Sequence, residues 1–245
     1  MINSELRIAK FSASNISRLL AGGSGKTSQS YILELALQAI GIKDDIDTSA
    51  TRHGLNNQFN AYQKVVLPLY PEATWLDEFL PINEFCGASP DVLIGYSPMD
   101  IKCPYNVDAY IEQINSVPTK YYQQVQMQML ACKSDTGYLC FYLTRPELWG
   151  EEEWQEYPIE LEKRYKIFEL KTDEELQNNI LKKVEESEPK KQWIINLLLS
   201  AKELSFEEYF NLQWNGNKLR NIKDCSNIYK LIDIFRFGNN FYYEV

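Results

Sequence analysis

Apolar residues fall at two spacings along this chain, and the spacings mark out its elements. Between Ser28 and Ile40, the residues Leu33, Leu37 and Ile40 recur every three or four positions, which predicts a helix with one face in the core. Thr51 to Val66 reads as a second helix. Thr119 to Lys133 reads as a third, with Val125, Met129 and Cys132 on one apolar stripe. A polar helix over Thr172–Glu186 and an amphipathic one over Trp193–Leu204 follow. Strand-like runs lie between the helices. Val92-Leu93-Ile94 and Met99 to Cys103 flank Gly95-Tyr96-Ser97-Pro98, which has the composition of a turn, so together they predict a β-hairpin. Gly137 to Thr144 is a strand by composition and extends the hairpin sheet, and Tyr165 to Leu170 is another. Leu67 to Glu84 carries Pro68, Pro71 and Pro81 and is expected as loop with a short strand; the segment after Pro104 is expected as a linker.

The N-terminal stretch Arg7 to Ser14 leads into a predicted helix over Asn15–Ala21, with Ser12 or Ser14 placed to cap it. Ala21 to Thr27, AGGSGKT, imitates a phosphate-binding loop. That motif needs a glycine five residues before Gly25, where this chain has Leu20, and it follows a strand rather than a helix. ATP binding is therefore rejected and a flexible loop expected, with Lys26 able to touch a backbone phosphate.

Composition narrows the class. A length of 245 residues holds one domain, or one domain with an appendage. No apolar run is long enough to cross a membrane, and the first residues lack the apolar core of a signal peptide, so a cytoplasmic protein is expected. Cys86, Cys103, Cys132, Cys140 and Cys225 form no C-x-x-C pair, which favours reduced thiols over disulfides, zinc or an iron–sulfur cluster. The net charge of −9 opposes nucleic-acid binding overall, so a local basic track on an acidic body is expected if DNA is the partner.

The chemistry concentrates at Gly87–Pro104. Side chains alternate along a strand, so Asp100 and Lys102 share a face, and folding the hairpin brings Asp91 across from them. Two carboxylates and an ammonium then converge. Burying them is costly unless they are paired, and a hard divalent cation such as Mg²⁺ is a natural partner for carboxylate and carbonyl oxygens. The alternative from these residues alone is a surface hairpin with a salt bridge.

Pro90-Asp91 followed by Asp100-Ile101-Lys102 resembles the signature of the PD-(D/E)XK nucleases. Gly-Ala-Ser-Pro-Asp before the hairpin and Cys-Pro after it resemble one branch, the phage-type exonucleases related to lambda exonuclease and the YqaJ viral recombinases. The resemblance implies an α/β restriction-endonuclease-like core over residues 1–188, a central mixed β-sheet flanked by helices with a metal site at one end. Residues 189–245 carry no motif of the family and are expected as a helical and aromatic extension of unknown role packed on the core; its basic Lys218-Leu219-Arg220 and aromatic Phe235–Tyr243 read as a docked C-terminus, the alternative being stacking on unpaired bases. The resemblance further implies that Asp91, Asp100 and the Ile101 carbonyl bind Mg²⁺, with Mn²⁺ as a substitute, and that Lys102 and Gln124 complete the catalytic set. Gln124 lies in Tyr121-x-x-Gln-Val-Gln, which is similar to a motif of the family. Arg7 and Ser14, seven residues apart, and Ser89, two before Asp91, match positions that hold the DNA 5′-phosphate.

One position departs from the family pattern. Gly54 and Ala61 match it, but the glutamate four residues after the glycine is here Gln58, which keeps an acceptor oxygen and loses the charge. An inactivating change, a natural glutamine and a shifted register all remain open. His53 is the only histidine and, without a second ligand, reads as structural. The resemblance implies a metal-dependent 5′–3′ exonuclease acting on double-stranded DNA ends to leave 3′ overhangs. A ring-shaped homotrimer and a single-strand annealing protein would be its partners, with a phage or prophage protein working in the host cytoplasm. The alternatives are a nuclease-fold binding protein with little cleavage, because of Gln58, and a different PD-(D/E)XK endonuclease.

Overall fold

A computed structural model describes residues 4–21, 26–42, 48–76, 78–145 and 156–203, with two short strands beyond them. In chain order the elements are α1 (Ser4–Arg7), β1 (Phe11–Ser12), α2 (Ile16–Leu19), α3 (Lys26–Ala39), α4 (Ser49–Ala61), α5 (Leu67–Leu69), β2 (Ala73–Trp75), β3 (Leu80–Pro81), β4 (Cys86–Ala88), β5 (Val92–Ile94) and β6 (Ser97–Lys102). Then come α6 (Val107–Asn115), α7 (Thr119–Cys132), β7 (Thr136–Tyr142), β8 (Tyr165–Lys171), α8 (Glu174–Glu203), β9 (Gln213–Trp214) and β10 (Asn217–Lys218). Leu219, Arg220 and the aromatic run Phe235–Tyr243 lie outside the described residues.

The main sheet has five strands in the order β2-β5-β6-β7-β8. Its pairings are antiparallel except β6 with β7, which run parallel, so the sheet is mixed. A parallel pair needs a crossover, and α6 and α7 supply it. The expected linker after Pro104 is therefore a helix, started by the Asn106 side chain accepting from Ala109 N at 2.9 Å. The hairpin turn is tighter than expected: Ser97 and Pro98 already pair with Ile94 and Leu93, and Gly95 turns the chain at φ +61°.

Helices cover both faces of this sheet. On one, Ala61, Val65 and Val66 pack against Val92, Met99, Ile101 and Tyr142. On the other, Val125 and Met129 of α7 pack against Leu139 and Phe141. A bare backbone at Gly137 permits that approach, because a Cβ there would lie 2.7 Å from Val125 Cγ1 and 2.8 Å from Met129 Cγ. Of the predicted stripe on α7, Val125 and Met129 are buried and Cys132 is partly exposed, while Met127 faces a further cluster with Phe11, Tyr31, Ile180, Val184, Ile194 and Leu198. Helix α7 is thus sandwiched, and all of residues 124–129 are buried.

Several boundaries moved. The predicted helix over Asn15–Ala21 is a 3₁₀ turn, Ala13–Asn15, followed by four-residue α2, and neither end gains a side-chain cap. Helix α4 continues through a wide π-turn, Tyr62–Val66, into α5, so helix extends past the point where Pro68 predicts a loop; the proline is tolerated in the first turn of α5. Lys26 and Thr27 open α3 rather than a loop. The two helices predicted on either side of Pro189 are one, α8, which also carries the position where the sequence suggested dividing the chain. A second sheet, β1-β4-β3, pairs β1 with β4 in parallel, Phe11 opposite Cys86 and Ser12 opposite Gly87. No local pattern announces that pairing.

Candidate active site

The hairpin register places Val92 opposite Met99, so Asp91 opposes Asp100 at the end of the strand pair. Asp91 Oδ2 accepts from Ile101 N at 2.6 Å and from Gln58 Nε2 at 3.2 Å. Asp100 is 1% exposed, and its Oδ1 accepts from Gln124 Nε2 at 2.5 Å and Gln128 Nε2 at 2.9 Å. Its Oδ2 faces Lys102 Nζ at 2.8 Å. Lys102 Nζ also stands 5.1 Å from the centre of the Tyr121 ring, and the exposed Lys120 stands 4.6 Å from the same ring.

The electrostatics follow from this convergence. Burial, then the charge on Asp100, push the Asp91 carboxyl up to about 7, against the opposing pull of Lys102 and the Ile101 N–H. Burial disfavours the Lys102 ammonium, but the two carboxylates outweigh it and leave its pKa above the ordinary value. Two carboxylates thus share one ammonium, and the excess negative charge suits a cation.

Whether a divalent metal fits can be judged from the donors. Asp91, Asp100 and the carbonyl of Ile101 are hard oxygen ligands, the set that Mg²⁺ or Mn²⁺ takes together with waters and substrate phosphate. No group of three or more His, Cys, Asp or Glu able to hold a metal occurs among the described residues, so carbonyl, water and phosphate oxygens would have to complete a metal's shell beside Asp91 and Asp100. Gln58 sits across it. Its Nε2 donates to Ile101 O at 3.0 Å as well as to Asp91, so the amide bridges two of the three oxygens a metal would use. The donors fit a metal once that amide turns its oxygen inward.

The N-terminal residues form a second cluster. Arg7 Nη2 donates to Ser14 Oγ at 3.1 Å, and Ser14 Oγ lies 3.3 Å from Ser12 Oγ. Ser12 N donates to the Tyr31 hydroxyl at 3.0 Å. The two serines therefore face Arg7 and Tyr31 instead of capping a helix. Arg18 stacks 4.8 Å over the Tyr31 ring and pairs with Glu34 at 2.7 Å. The strand within this cluster pairs beside the strand that precedes the carboxylates. β1 pairs with β4 in parallel up to Ser12 opposite Gly87; Ser14 then lies in the 3₁₀ turn that follows β1, while β4 ends at Ala88 and Ser89 and Pro90 lead into Asp91.

The model of the YqaJ-like viral recombinase domain matches residues 4–138, more than half of the chain. The chain belongs to the YqaJ-like viral recombinase family. Solved structures share its fold. One is LHK-Exo, an alkaline exonuclease from Laribacter hongkongensis, also solved in complex with dAMP; that complex is 22% identical with a TM-score of 0.67, covering 81% of this chain and 96% of the other. Another is a phage-related exonuclease from Haemophilus somnus 129PT, 16% identical with a TM-score of 0.63, covering 80% and 98%. No curated protein matches the chain. The central mixed sheet flanked by helices is the α/β fold expected from the sequence, and the solved exonucleases share it.

In this YqaJ-like chain, Asp91, Asp100, Lys102, Gln124, Gln58 and the Ile101 carbonyl come together, and Arg7 meets Ser14. Sequence reasoning missed Gln128 and Tyr31. Gln128 follows Gln124 by four, one helical turn, so it reaches the same carboxylate. Tyr31 gave no signal, because its contact to Ser12 is tertiary. His53 is buried against the edge of Tyr105, 5.5 Å between ring centres, as a structural histidine would be. Glu84 is exposed in the turn between β3 and β4.

Proposed function

We propose that this chain is a Mg²⁺-dependent 5′–3′ exonuclease on double-stranded DNA ends, producing 3′ single-stranded overhangs in phage-type recombination. The observation that carries the reading is the convergence of Asp91, Asp100 and Lys102, with the Arg7–Ser14 contact spanning β1, the strand paired with β4, and only Ser89 and Pro90 lying between β4 and Asp91. In this reading Arg7, Ser14 and Ser89 hold the terminal 5′-phosphate, so the scissile phosphodiester presents itself at the carboxylates. Asp91, Asp100 and the Ile101 carbonyl would hold Mg²⁺, or Mn²⁺ in its place, which supplies charge neutralisation and activation of water at the phosphate. Lys102, anchored by Asp100, directs its ammonium at the charge that builds on the phosphate oxygens. Gln124 and Gln128 fix Asp100 in one orientation. The dAMP held by LHK-Exo, a protein of the same fold, supports a DNA-derived mononucleotide as the product.

A second reading rests on Gln58. Its amide donates to Asp91 and to the Ile101 carbonyl, which favours a nuclease-fold protein that binds DNA or a recombination partner and cleaves little. Digestion of linear duplexes with 5′-phosphate or 5′-hydroxyl ends, in Mg²⁺ or EDTA, separates the two. Metal-dependent loss of phosphorylated ends, with circular DNA intact and Lys102→Ala inactive, supports the exonuclease. Tight DNA binding without cleavage in wild type and in Gln58→Glu supports the binding protein. Cleavage of circular DNA would show an endonuclease. The proposed assembly is a homotrimer with an annealing protein as partner, acting in the host cytoplasm, and light scattering checks the trimer. No helix among the described residues is long and apolar enough to cross a membrane. Residues 189–245 are proposed as an extension packed on the nuclease core.

A further inference from the structure

Helix α8 carries a buried ion pair that the chemistry above does not use. Lys191 is 4% exposed and Glu188 is 7% exposed, with Lys191 Nζ 2.8 Å from Glu188 Oε2. Gln192 Nε2 donates to the other oxygen of Glu188 at 2.8 Å. The lysine reaches 182 residues back along the chain: its Nζ donates to the carbonyl of Ala9 at 2.7 Å and stands 5.2 Å from the centre of the Phe11 ring. Ala9 holds φ at +59°, a left-handed conformation that an alanine adopts against its own sterics. Lys10 N donates to Arg7 O at 3.2 Å across the same turn. A buried ion pair is a poor stabiliser compared with apolar residues of its size, whereas it is a good means of fixing one geometry. Here the geometry fixed is the turn that separates Arg7 from β1.

We infer that Lys191 is a positioning residue for the end-binding cluster: by clamping the Ala9 carbonyl it holds the turn that aims Arg7 at Ser14. The inference rests on the reading of Arg7 and Ser14 as the 5′-phosphate site. It gives α8 beyond Pro189 a part in recognising the DNA end. Arg7 itself is exposed and donates from Nη2 to Ser14 Oγ, whereas the lysine behind its turn is buried.

The test measures binding, not cleavage. Hairpin duplexes with one free end, bearing either a 5′-phosphate or a 5′-hydroxyl, are titrated with full-length protein in EDTA and followed by fluorescence anisotropy. Wild type should prefer the phosphate by about tenfold, the scale of one charge-assisted hydrogen bond. Arg7→Ala should abolish that preference. The double variants Glu188→Gln/Lys191→Met and Glu188→Leu/Lys191→Leu leave no lone buried charge and remove the donor to Ala9; whichever melts cooperatively carries the test. The preference should collapse toward that of Arg7→Ala, with affinity for hydroxyl ends unchanged. Adding the change to Arg7→Ala should then do nothing more, and Lys191→Arg should restore part of the preference. A folded variant that keeps the full preference overturns the inference, as does one that loses affinity equally for both ends. A wild type with no preference overturns the phosphate-site reading, and this inference with it. Because wild type is measured first, the two failures are told apart.

Discussion

Asp91 and Gln58 are where single residues decide what this site can do. Burial first, and then the charge on Asp100, push the Asp91 carboxyl up to about 7. A carboxylate with a raised folded pKa contributes stability that is fully present below about pH 4 and is lost as pH rises through about 7. Asp91→Asn removes that loss. The metal-free variant should therefore be more stable than wild type at pH 8, by on the order of 2 kcal/mol, and the difference should vanish toward pH 4. Urea denaturation in EDTA at the two pH values checks it, and equal midpoints at pH 8 would contradict the picture. Gln58→Glu works the other way. It replaces a donor to Asp91 Oδ2 with a third carboxylate, so the metal-free protein should lose about 1–2 kcal/mol near neutral pH. Millimolar Mg²⁺ should then raise its melting temperature more than it raises that of wild type, because a ligand's stabilisation grows with the logarithm of its concentration over Kd. Melting curves with EDTA or Mg²⁺ read both effects without any DNA. An equal metal response from the two proteins would mean that residue 58 does not face the metal.

At the scale of elements, the packing of α7 on β7 sets the site. Gly137→Ala would put a Cβ within 2.7 Å of Val125 and 2.8 Å of Met129, both fully buried, and should destabilise by about 1–3 kcal/mol. Pushing α7 outward also lifts Gln124 and Gln128 from Asp100, so activity should fall further than unfolding alone explains. Gly95→Ala serves as the control. It meets nothing within 4 Å and suffers only its positive φ of +61°, so about 1 kcal/mol and no separate loss of activity are expected. Denaturation midpoints with parallel activity assays distinguish the two. The same elements explain what the chain disclosed in advance. The β5–β6 hairpin was legible because its signals are local: a turn between two apolar runs, with Asp100 and Lys102 two residues apart. The residues Gln58 and Gln124 were legible only through resemblance to a family. The β1–β4 pairing was not legible, since it joins residues 75 apart and each strand is very short. The helical character of α6 was hidden behind Pro104, and α8 ran through Pro189 because tertiary packing of Ile194 and Leu198 overrides the local penalty of a proline.

The whole molecule carries nine more negative than positive charges, yet its proposed substrate is a polyanion. The conflict eases when charges are placed rather than counted. Among the described residues, the exposed Arg7 marks the proposed end-binding cluster, and Lys102 and Lys120 both stand over the Tyr121 ring near the carboxylates. Several of the other cations are taken up by carboxylates, as Arg18 is by Glu34 and Arg164 by Glu156. On the proposed function, an acidic body would leave only a short basic track to grip duplex DNA, so few counterions should be released on binding. With about three or four phosphates contacted, the logarithm of affinity should fall with the logarithm of salt at a slope of about −3. A protein that bound along the duplex would contact more phosphates and give a steeper slope. The measurement is a series of anisotropy titrations on duplex ends between low and moderate salt, with EDTA present to stop cleavage. Lys120→Ala should reduce the slope by about one while leaving the preference for a 5′-phosphate intact, because it lies beside Lys102 and not in the Arg7 cluster. A slope near zero would remove the basic track from the account and leave recognition to hydrogen bonds at the terminal phosphate alone.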